Sequence, residues 1–322
     1  MKFLCICLSP AIDATVRMNA WPTDGCIIKN AADTFAPGGK TVNVARWLAK
    51  RDRAAASART VADAQREPPH HHIACGGLLG EDNAVMFEKE LAKYSIEDRF
   101  VRVPGATRVN EMFVTPEGSF KVNRPAFPGL EALDVLEGLE RLMLEVRADV
   151  CIISGSLPSG FPPDTYRHLA EAAKAAGAKV VLDASGKALA EGVRAHPDVI
   201  KPNADECEAL IGFVPKTPEE FKRATAELKE LCDYPIISDG GAGCWFDGTF
   251  VPAPRVDVLD TTAAGDTLLA EWCWRRFGGS EGLGSLEAGR WAVAAGSAAC
   301  TMPGGEPPDV ALVERLAGEI AG

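Results

Sequence analysis

Val150-Cys-Ile-Ile153, a helical pattern near Pro163 to Ala176, and Lys179-Val-Val-Leu182 follow one another without a break. Val199-Ile200, a helix near Ala204 to Ile211, a second near Pro218 to Leu231, and Pro235-Ile-Ile237 continue the series. The apolar runs are short and rich in β-branched residues, which reads as strand. Strands alternating with helices of ten or more residues make βαβ units, hence a parallel sheet with helices on both faces. The fold class is therefore α/β.

Outward from that stretch the pattern holds, with two exceptions. Met1 to Leu8 carries one lysine and a short apolar run ahead of Ser9-Pro10. It is too short for a secretory h-region and reads as a first buried strand. Residues 13–36 and 109–128 break the alternation: they read as short strands with turn signals at Pro22, Asp24-Gly25 and Glu117-Gly118, and no helix. The expected organisation is a main α/β domain of residues 1–12, 37–108 and 129–322 and a small β-rich lid of residues 13–36 and 109–128. Residues 51–72 form an Ala/Arg/Asp-rich stretch that ends in Pro68-Pro69-His70-His71-His72. Its first part extends the preceding helix and the prolines stop it. Nothing fixes the geometry of the three histidines, so they read as a solvated loop rather than a metal site.

A chain of 322 residues with 47% apolar content buries a large core. The net charge of −11 and a pI near 5.1 repel phosphate backbones and anionic lipid, so nucleic acid and membranes are poor partners. A small anionic ligand held by local Lys, Arg and amide groups remains compatible. No stretch approaches the length of a membrane span. The ten cysteines show no CxxC pair and no zinc spacing, which reads as reduced, packed thiols in a cytoplasmic protein.

Three segments carry chemistry. Asp260-Thr-Thr-Ala263-Ala264-Gly265-Asp266 runs into a helix whose Leu269, Trp272, Cys273, Arg276 and Phe277 share one face. Asp266 thus stands at a helix N-terminus, where free backbone N–H groups form an anion site and a carboxylate can take a proton from a hydroxyl. An ordinary N-cap would read the same way. Pro37-Gly38-Gly39-Lys40-Thr41-Val42-Asn43 opens another helix, with glycines that admit a ligand and donors at Lys40 and Asn43. It is not a P-loop, because Thr34 occupies the position that motif reserves for glycine. Lys201-Pro-Asn203-Ala-Asp-Glu206 has a capping-box spacing, and its Asn and Glu oxygens also suit a magnesium–phosphate site, often through water.

Further segments complete an ordered set: Asp13 in Leu8-Ser-Pro-Ala-Ile-Asp13, Ile153-Ser-Gly-Ser156-Leu-Pro158, Leu182-Asp-Ala-Ser-Gly186 and Ser238-x-Gly240-x-x-Gly243. Together the motifs span nearly the whole chain and resemble the PfkB/ribokinase-like carbohydrate kinases. Within them the chain is most similar to the phosphosugar branch: 1-phosphofructokinase, tagatose-6-phosphate kinase and the minor 6-phosphofructokinase. The marker is Gly105-Ala-Thr-Arg108-Val-Asn110, whose arginine contacts the substrate phosphate in that branch. The resemblance implies a ribokinase-like three-layer αβα fold and an ATP- and Mg²⁺-dependent phosphorylation of a sugar phosphate. It implies Asp266 as the base, with the amides of Ala263, Ala264 and Gly265 as the anion hole. Asp13, Gly38, Gly39, Lys40, Asn43 and Ser156 would hold the sugar, and Arg108 its phosphate. Lys201, Asn203, Ser238, Gly240, Gly243 and Ser297 would line the nucleotide side, the last on the small-residue helix Ala294-Ala-Gly-Ser-Ala-Ala299, where adenine could approach closely. Asn203 and Glu206 would orient Mg²⁺ through water. Lid strands in this family often pair protomers, so a homodimer is expected. Two other readings stay open: a kinase of an unphosphorylated sugar or nucleoside, and a non-catalytic sugar-phosphate binder.

The chain departs from the family pattern at several positions. Ala263 replaces a glycine in the hole, Thr41 a glycine after Lys40, and Asp239 a leucine in the Ser-Leu-Gly turn. Asp239 would set a negative charge near the phosphates unless it points outward, as expected of a surface turn. Glu271 stands where the family has a small residue, and an i,i+4 pair with Arg275 is expected to keep it solvated. A lid lysine of the minor 6-phosphofructokinase has Lys29 as its nearest candidate.

Overall fold

Alternation along the first strand creates two cores. Phe3, Cys5 and Cys7 enter one apolar cluster, while Leu4, Ile6 and Leu8 enter another on the opposite face. The computed structural model describes residues 1–25, 32–57, 71–278 and 282–321. The N-terminal part holds β1 (Lys2–Cys7), β2 (Ala11–Arg17), β3 (Ala32–Gly38), α1 (Lys40–Ser57), β4 (His72–Gly80), α2 (Val85–Tyr94) and β5 (Glu97–Val103). Next come β6 (Val109–Thr115), β7 (Gly118–Val122), α3 (Leu133–Val146), β8 (Val150–Ser154), α4 (Thr165–Ala175), β9 (Lys179–Asp183), α5 (Gly186–Gly192) and β10 (Val199–Ile200). The chain closes with α6 (Cys207–Ile211), α7 (Pro218–Leu228), β11 (Tyr234–Ser238), β12 (Gly243–Phe246), β13 (Thr249–Pro252), α8 (Ala264–Phe277), α9 (Ser285–Ala299) and α10 (Val310–Ala321).

Among the described residues the main sheet has nine strands, in the order β13-β12-β11-β10-β9-β8-β1-β4-β5. Its strands from β5 to β11 pair in parallel, and only β12 and β13 turn antiparallel at the edge. Helices α1, α8, α9 and α10 cover one face and α3, α4 and α7 the other, giving three layers. Short, wholly buried strands such as Val150–Ser154 read as continuous apolar runs for this reason. Helix α7 shows how locally written these elements are: Thr217 and Glu220 exchange both capping-box bonds, and Pro218 fills the first helical position.

A second sheet orders as β3-β2-β6-β7. Its strands come from the two segments that broke the helix–strand alternation, although β2 starts at Ala11 and β3 runs on to Gly38. The β2–β6 pair is parallel and the others antiparallel. Gly38 closes this sheet against Asp13, where a Cβ would lie 2.3 Å from Asp13 Oδ2.

One expectation is corrected, at two residues. Helix α1 does extend to Ser57, but His71 is not a solvated loop residue. It is buried, with Nδ1 2.7 Å from Asp52 Oδ1 and Nε2 2.7 Å from the carbonyl of Gly278. His72 begins β4 and pairs with Glu97. Each ring nitrogen of His71 found a partner on an element distant in sequence, which no local pattern announces. Residues 58–70, including His70, lie outside the described residues, as does Lys29. Nine cysteines among the described residues are free thiols, and eight of them are buried. No helix among the described residues is long and apolar enough to cross a membrane.

Candidate active site

The site is assembled past the carboxyl ends of the parallel strands, where doubly wound sheets bind ligands. Asp183 ends β9 and is buried. Lys40 Nζ, from the first residue of α1, lies 3.2 Å from its Oδ2, and Lys201 Nζ, just after β10, lies 3.3 Å from its Oδ1. Ser154 at the end of β8 donates to it at 3.1 Å. Burial pushes the Asp183 carboxyl up, but the Lys201 and Lys40 ammoniums outweigh it and hold the group below its ordinary value. Lys201 is buried as well, which works against its charge. The carboxylates of Asp183 and Asp266 more than restore it, so its pKa is raised.

Asp266 lies in the first turn of α8 and is also buried. Its Oδ2 accepts a hydrogen bond from Asn43 Nδ2 at 2.8 Å. Burial, then repulsion from Asp183, pushes this carboxyl up to about 6, while Asn43, Lys40 and Lys201 pull the other way. The result is a carboxylate that exchanges protons close to neutrality, as a general base requires. The turn before it is strained: Ala263 caps α8 in the left-handed region, at φ 62° and ψ 6°. An L-residue there costs about 1–2 kcal/mol. Ala264 N–H turns back to Thr261 O at 3.3 Å, and Thr267 N–H bonds to Ala263 O at 2.9 Å. The amides of Ala263, Gly265 and Asp266 have no acceptor among the described residues, so of the three amides expected to form the hole only that of Ala264 is turned away. Asp260 holds the loop by accepting from Thr262 N at 2.8 Å and Gly304 N at 3.0 Å.

The sugar-side candidates divide into two groups. Lys40 joins Lys201 on Asp183, and Asn43 bonds Asp266, as described above. Asp13 lies instead in β2, where Asn110 of β6 donates to its Oδ1 at 3.3 Å, beside Gly38. Gly39 has φ 116° and packs on Pro10. The Arg108 guanidinium donates to the carbonyls of Pro10, Ser9 and Arg124 at 3.3, 3.1 and 3.0 Å. Among the described residues three of its five N–H groups are thereby engaged and two are left for a ligand. Ser156 is exposed after β8, and its carbonyl accepts from Tyr166.

On the other side of the α8 turn a cavity of about 1130 Å³ is lined by Ser238, Gly240, Gly243, Gly265 and Ser297, with Arg255 and Arg315 as its cations. Gly243 is obligatory: at φ 142°, a Cβ would lie 2.2 Å from Val251 O. Of the small residues of α9, only Gly296 and Ser297 reach this cavity together with Val293 and Cys300; the alanines are packed inside. A Cβ at Gly296 would lie 3.1 Å from Ala264 O, so this glycine serves the contact between α9 and α8. Asn203 and Glu206 exchange reciprocal bonds, Asn203 N–H to Glu206 Oε2 at 2.9 Å and Glu206 N–H to Asn203 Oδ1 at 2.7 Å. Their capping-box pairing is thus formed.

Glu271 overturns an expectation. It is 0% exposed, not solvated. The i,i+4 bond from Arg275 exists at 2.9 Å, and Trp47 Nε1 at 2.9 Å and Arg51 at 3.4 Å complete its shell. Asp239 borders a separate depression of about 570 Å³ beside Lys222, Trp245 and Phe250 and does not line the large cavity. Thr41 is buried against Cys7. Three residues of the site had no role in the sequence reading: Asp183, Asp260 and Arg46. For Asp183 a signal existed, since a carboxylate ending an apolar strand of a parallel sheet sits where ligands bind. Arg46, buried against Asn43, left none.

The chain matches the pfkB family carbohydrate kinases over residues 8–310. The chain belongs to that family. It is 30% identical to the 1-phosphofructokinase of Haemophilus influenzae over 97% of this chain and 95% of the relative, and 30% identical to that of Rhodobacter capsulatus over 84% and 82%. The kinase superposes on phosphofructokinase-2 from Escherichia coli with a TM-score of 0.83, 22% identity and coverage of 100% and 99%. It superposes on Arabidopsis thaliana ribokinase with ribose and ATP at a TM-score of 0.70, 22% identity and 98% coverage of both chains. These likenesses place the kinase in the phosphosugar branch and its architecture among ribokinase-like folds, with ATP use implied by the family.

Proposed function

We propose that this kinase transfers the γ-phosphoryl group of ATP to a hydroxyl of a sugar phosphate, of the fructose-1-phosphate, tagatose-6-phosphate or fructose-6-phosphate type. The observation that carries the reading is Asp266, a buried carboxylate poised at about 6 next to unbonded amides at a helix N-terminus. Asp266 takes the hydroxyl proton as the new P–O bond forms. The amides of Ala263, Gly265 and Asp266 and the α8 dipole face the charge on the transferring group. Lys201 is locked by Asp183, whereas Lys40, 43% exposed, can turn from Asp183 towards a ligand. Asp13, Gly38, Gly39, Asn43 and Ser156 hold the sugar, and the two spare donors of Arg108 take its phosphate.

The cavity with Arg255 and Arg315, and the Cβ-free wall at Gly243, fit a nucleotide lying along Ser238, Gly240 and Ser297. For Mg²⁺ the donor set fits an ion held through water. Asn203 and Glu206 offer oxygens, yet one oxygen of each is engaged by an amide, and no group of three acidic, His or Cys residues suited to a metal occurs among the described residues. Bound there, Mg²⁺ would neutralise phosphate charge.

The second sheet is read as a lid over this site that also pairs two protomers. Exposed Trp21, Phe35, Phe120 and Val122 support that reading, with Phe120 stacked on Phe113. The free thiols fit a reducing, cytoplasmic setting.

The test is a coupled assay with MgATP across sugars and sugar phosphates. One sugar phosphate is expected to be phosphorylated well above its unphosphorylated parent. Arg108→Ala should weaken that phosphorylated substrate by roughly 10- to 150-fold, equivalent to about 1.5–3 kcal/mol, and the parent far less. Equal losses would remove the phosphate from the proposal. A screen without turnover, joined by calorimetry without MgATP binding, would leave a sugar-phosphate binder.

A further inference from the structure

We propose that Arg46 is a positioning residue for Asp266, fixing the side-chain amide of Asn43 so that its NH₂ rather than its oxygen faces the carboxylate. This rests on the reading of Asp266 as the base.

Asn43 and Arg46 are three residues apart on α1 and therefore share a face. Arg46 is 2% exposed. Its Nη2 donates to Asn43 Oδ1 and to the carbonyl of Gly305 at 3.1 Å. Its Nη1 reaches Glu90 Oε1 of α2 at 3.0 Å. An asparagine amide has two nearly isosteric orientations, but a guanidinium can only donate. With Arg46 in place, Oδ1 must face the guanidinium, and Nδ2 is left for Asp266 at 2.8 Å. That orientation supports the ionised carboxylate, the form able to accept a proton. The flipped amide would set Oδ1 against Asp266 and favour the protonated acid, which can donate to it. Glu90 holds the guanidinium from behind and balances its charge. Gly305, bonded to the same guanidinium, packs on Ala263, where a Cβ on the glycine would meet the Ala263 methyl at 3.3 Å. Arg46 therefore joins the loop beside the strained turn to the residue that faces the base.

The groups that face Asp266 are Asp183 from β9, Lys40 and Asn43 from α1, and Lys201 after β10. A substitution at Arg46 removes none of them, so a change in the titration of Asp266 reports the orientation of Asn43 together with the lost charge. The double variant Arg46→Met/Glu90→Gln separates the two, since it removes the donor and leaves the local net charge unchanged, while Arg46→Lys retains charge and N–H donors and tests rescue.

The experiment compares Arg46→Met, Arg46→Lys and the double variant Arg46→Met/Glu90→Gln, which strands no carboxylate. Each is screened by thermal melting and then measured for kcat/KM against pH. A ¹³C NMR titration of the Asp266 carboxyl reads the same group without substrate. The acid limb is expected to move up by about one pH unit in Arg46→Met, a loss of roughly ten-fold below the midpoint that shrinks at alkaline pH. The sugar KM should change little, and Arg46→Lys should return most of the limb. A folded Arg46→Met or double variant with the wild-type limb, or a loss equal at every pH, overturns the proposal. So does failure of both Met variants to fold, which would make Arg46 purely structural. Asp266→Asn keeps the two ideas apart. If it is inactive while Arg46→Met titrates as wild type, only the positioning role falls; if it is active, the base falls and the positioning role with it.

Discussion

Asp266 and Glu271 are two buried carboxylates on one helix, and they are treated in opposite ways. Glu271 accepts from Trp47 and Arg275, both at 2.9 Å, and has Arg51 at 3.4 Å. Arg51 goes on to Glu314, and the guanidiniums of Arg51 and Arg275 lie over the rings of Trp274 and Trp291. This cluster ties α1, α8, α9 and α10 together. Among the described residues Asp266 has one direct donor, Asn43, and a neighbouring like charge at Asp183. The structural carboxylate is saturated, whereas the one at the helix N-terminus is left short of donors. A buried charge can be fixed in place or kept reactive, and the number of donors around it decides which.

The sharpest test of this contrast is Asp266→Asn, which should cut turnover by about 10²- to 10⁴-fold while sugar binding persists. Near-wild-type turnover would remove Asp266 from the mechanism. The same variant should be the more stable protein at pH 8. A carboxyl moved from 3.8 to about 6 binds its proton more tightly when folded, so ionisation costs the folded state stability. Two pH units correspond to about 2–3 kcal/mol, regained in full by the variant above the folded value. The gain should fade as pH drops from about 6 towards 3.8, where wild type is also neutral. Denaturant melts across that range check both the size and the sign.

Glu271→Ala should do the reverse. Stranding Arg275 and leaving Arg51 with Glu314 alone should cost about 3–5 kcal/mol of stability, with turnover per folded molecule changed only a few-fold. If that variant stays folded and loses activity as Asp266→Asn does, the two carboxylates are not separable and the contrast breaks.

Smaller effects sharpen the picture. Ala263→Gly relieves a left-handed alanine and should gain up to about 1 kcal/mol, read as a shift in the melting midpoint. A loss would show that the methyl packing near Gly305 outweighs backbone strain. Asp239→Leu should leave ATP affinity within about two-fold, because Asp239 borders the depression by Trp245 rather than the cavity. Markedly tighter ATP binding would place that charge back among the phosphates.

The α/β alternation from Val150 to Ile237, the double-sided cores and the two helix-free segments are written in local patterns, because strand and helix periodicities act over a few residues. The same is true of the helix starts at Lys40 and Ala264 and of the capping pair Asn203–Glu206. Glycine and small residues marked where the chain admits close approach, and Gly38 and Gly243 are indeed places where a Cβ has no room. None of this required knowing what lies opposite in space.

Tertiary structure alone decided the partners. Asp183 draws Lys40 and Lys201 together from positions 143 and 18 residues away in sequence. Glu271 became buried because Trp47 and Arg51 of α1 reach it, and His71 because Asp52 and Gly278 flank it. Arg46 is informative only once Asn43, Glu90 and Gly305 surround it. By itself, the sequence determines which segments become strands and helices and which residue types stand at their ends. Whether a charge is solvated, saturated or held reactive depends on desolvation and on donors brought from distant elements, and those exist only in the folded chain.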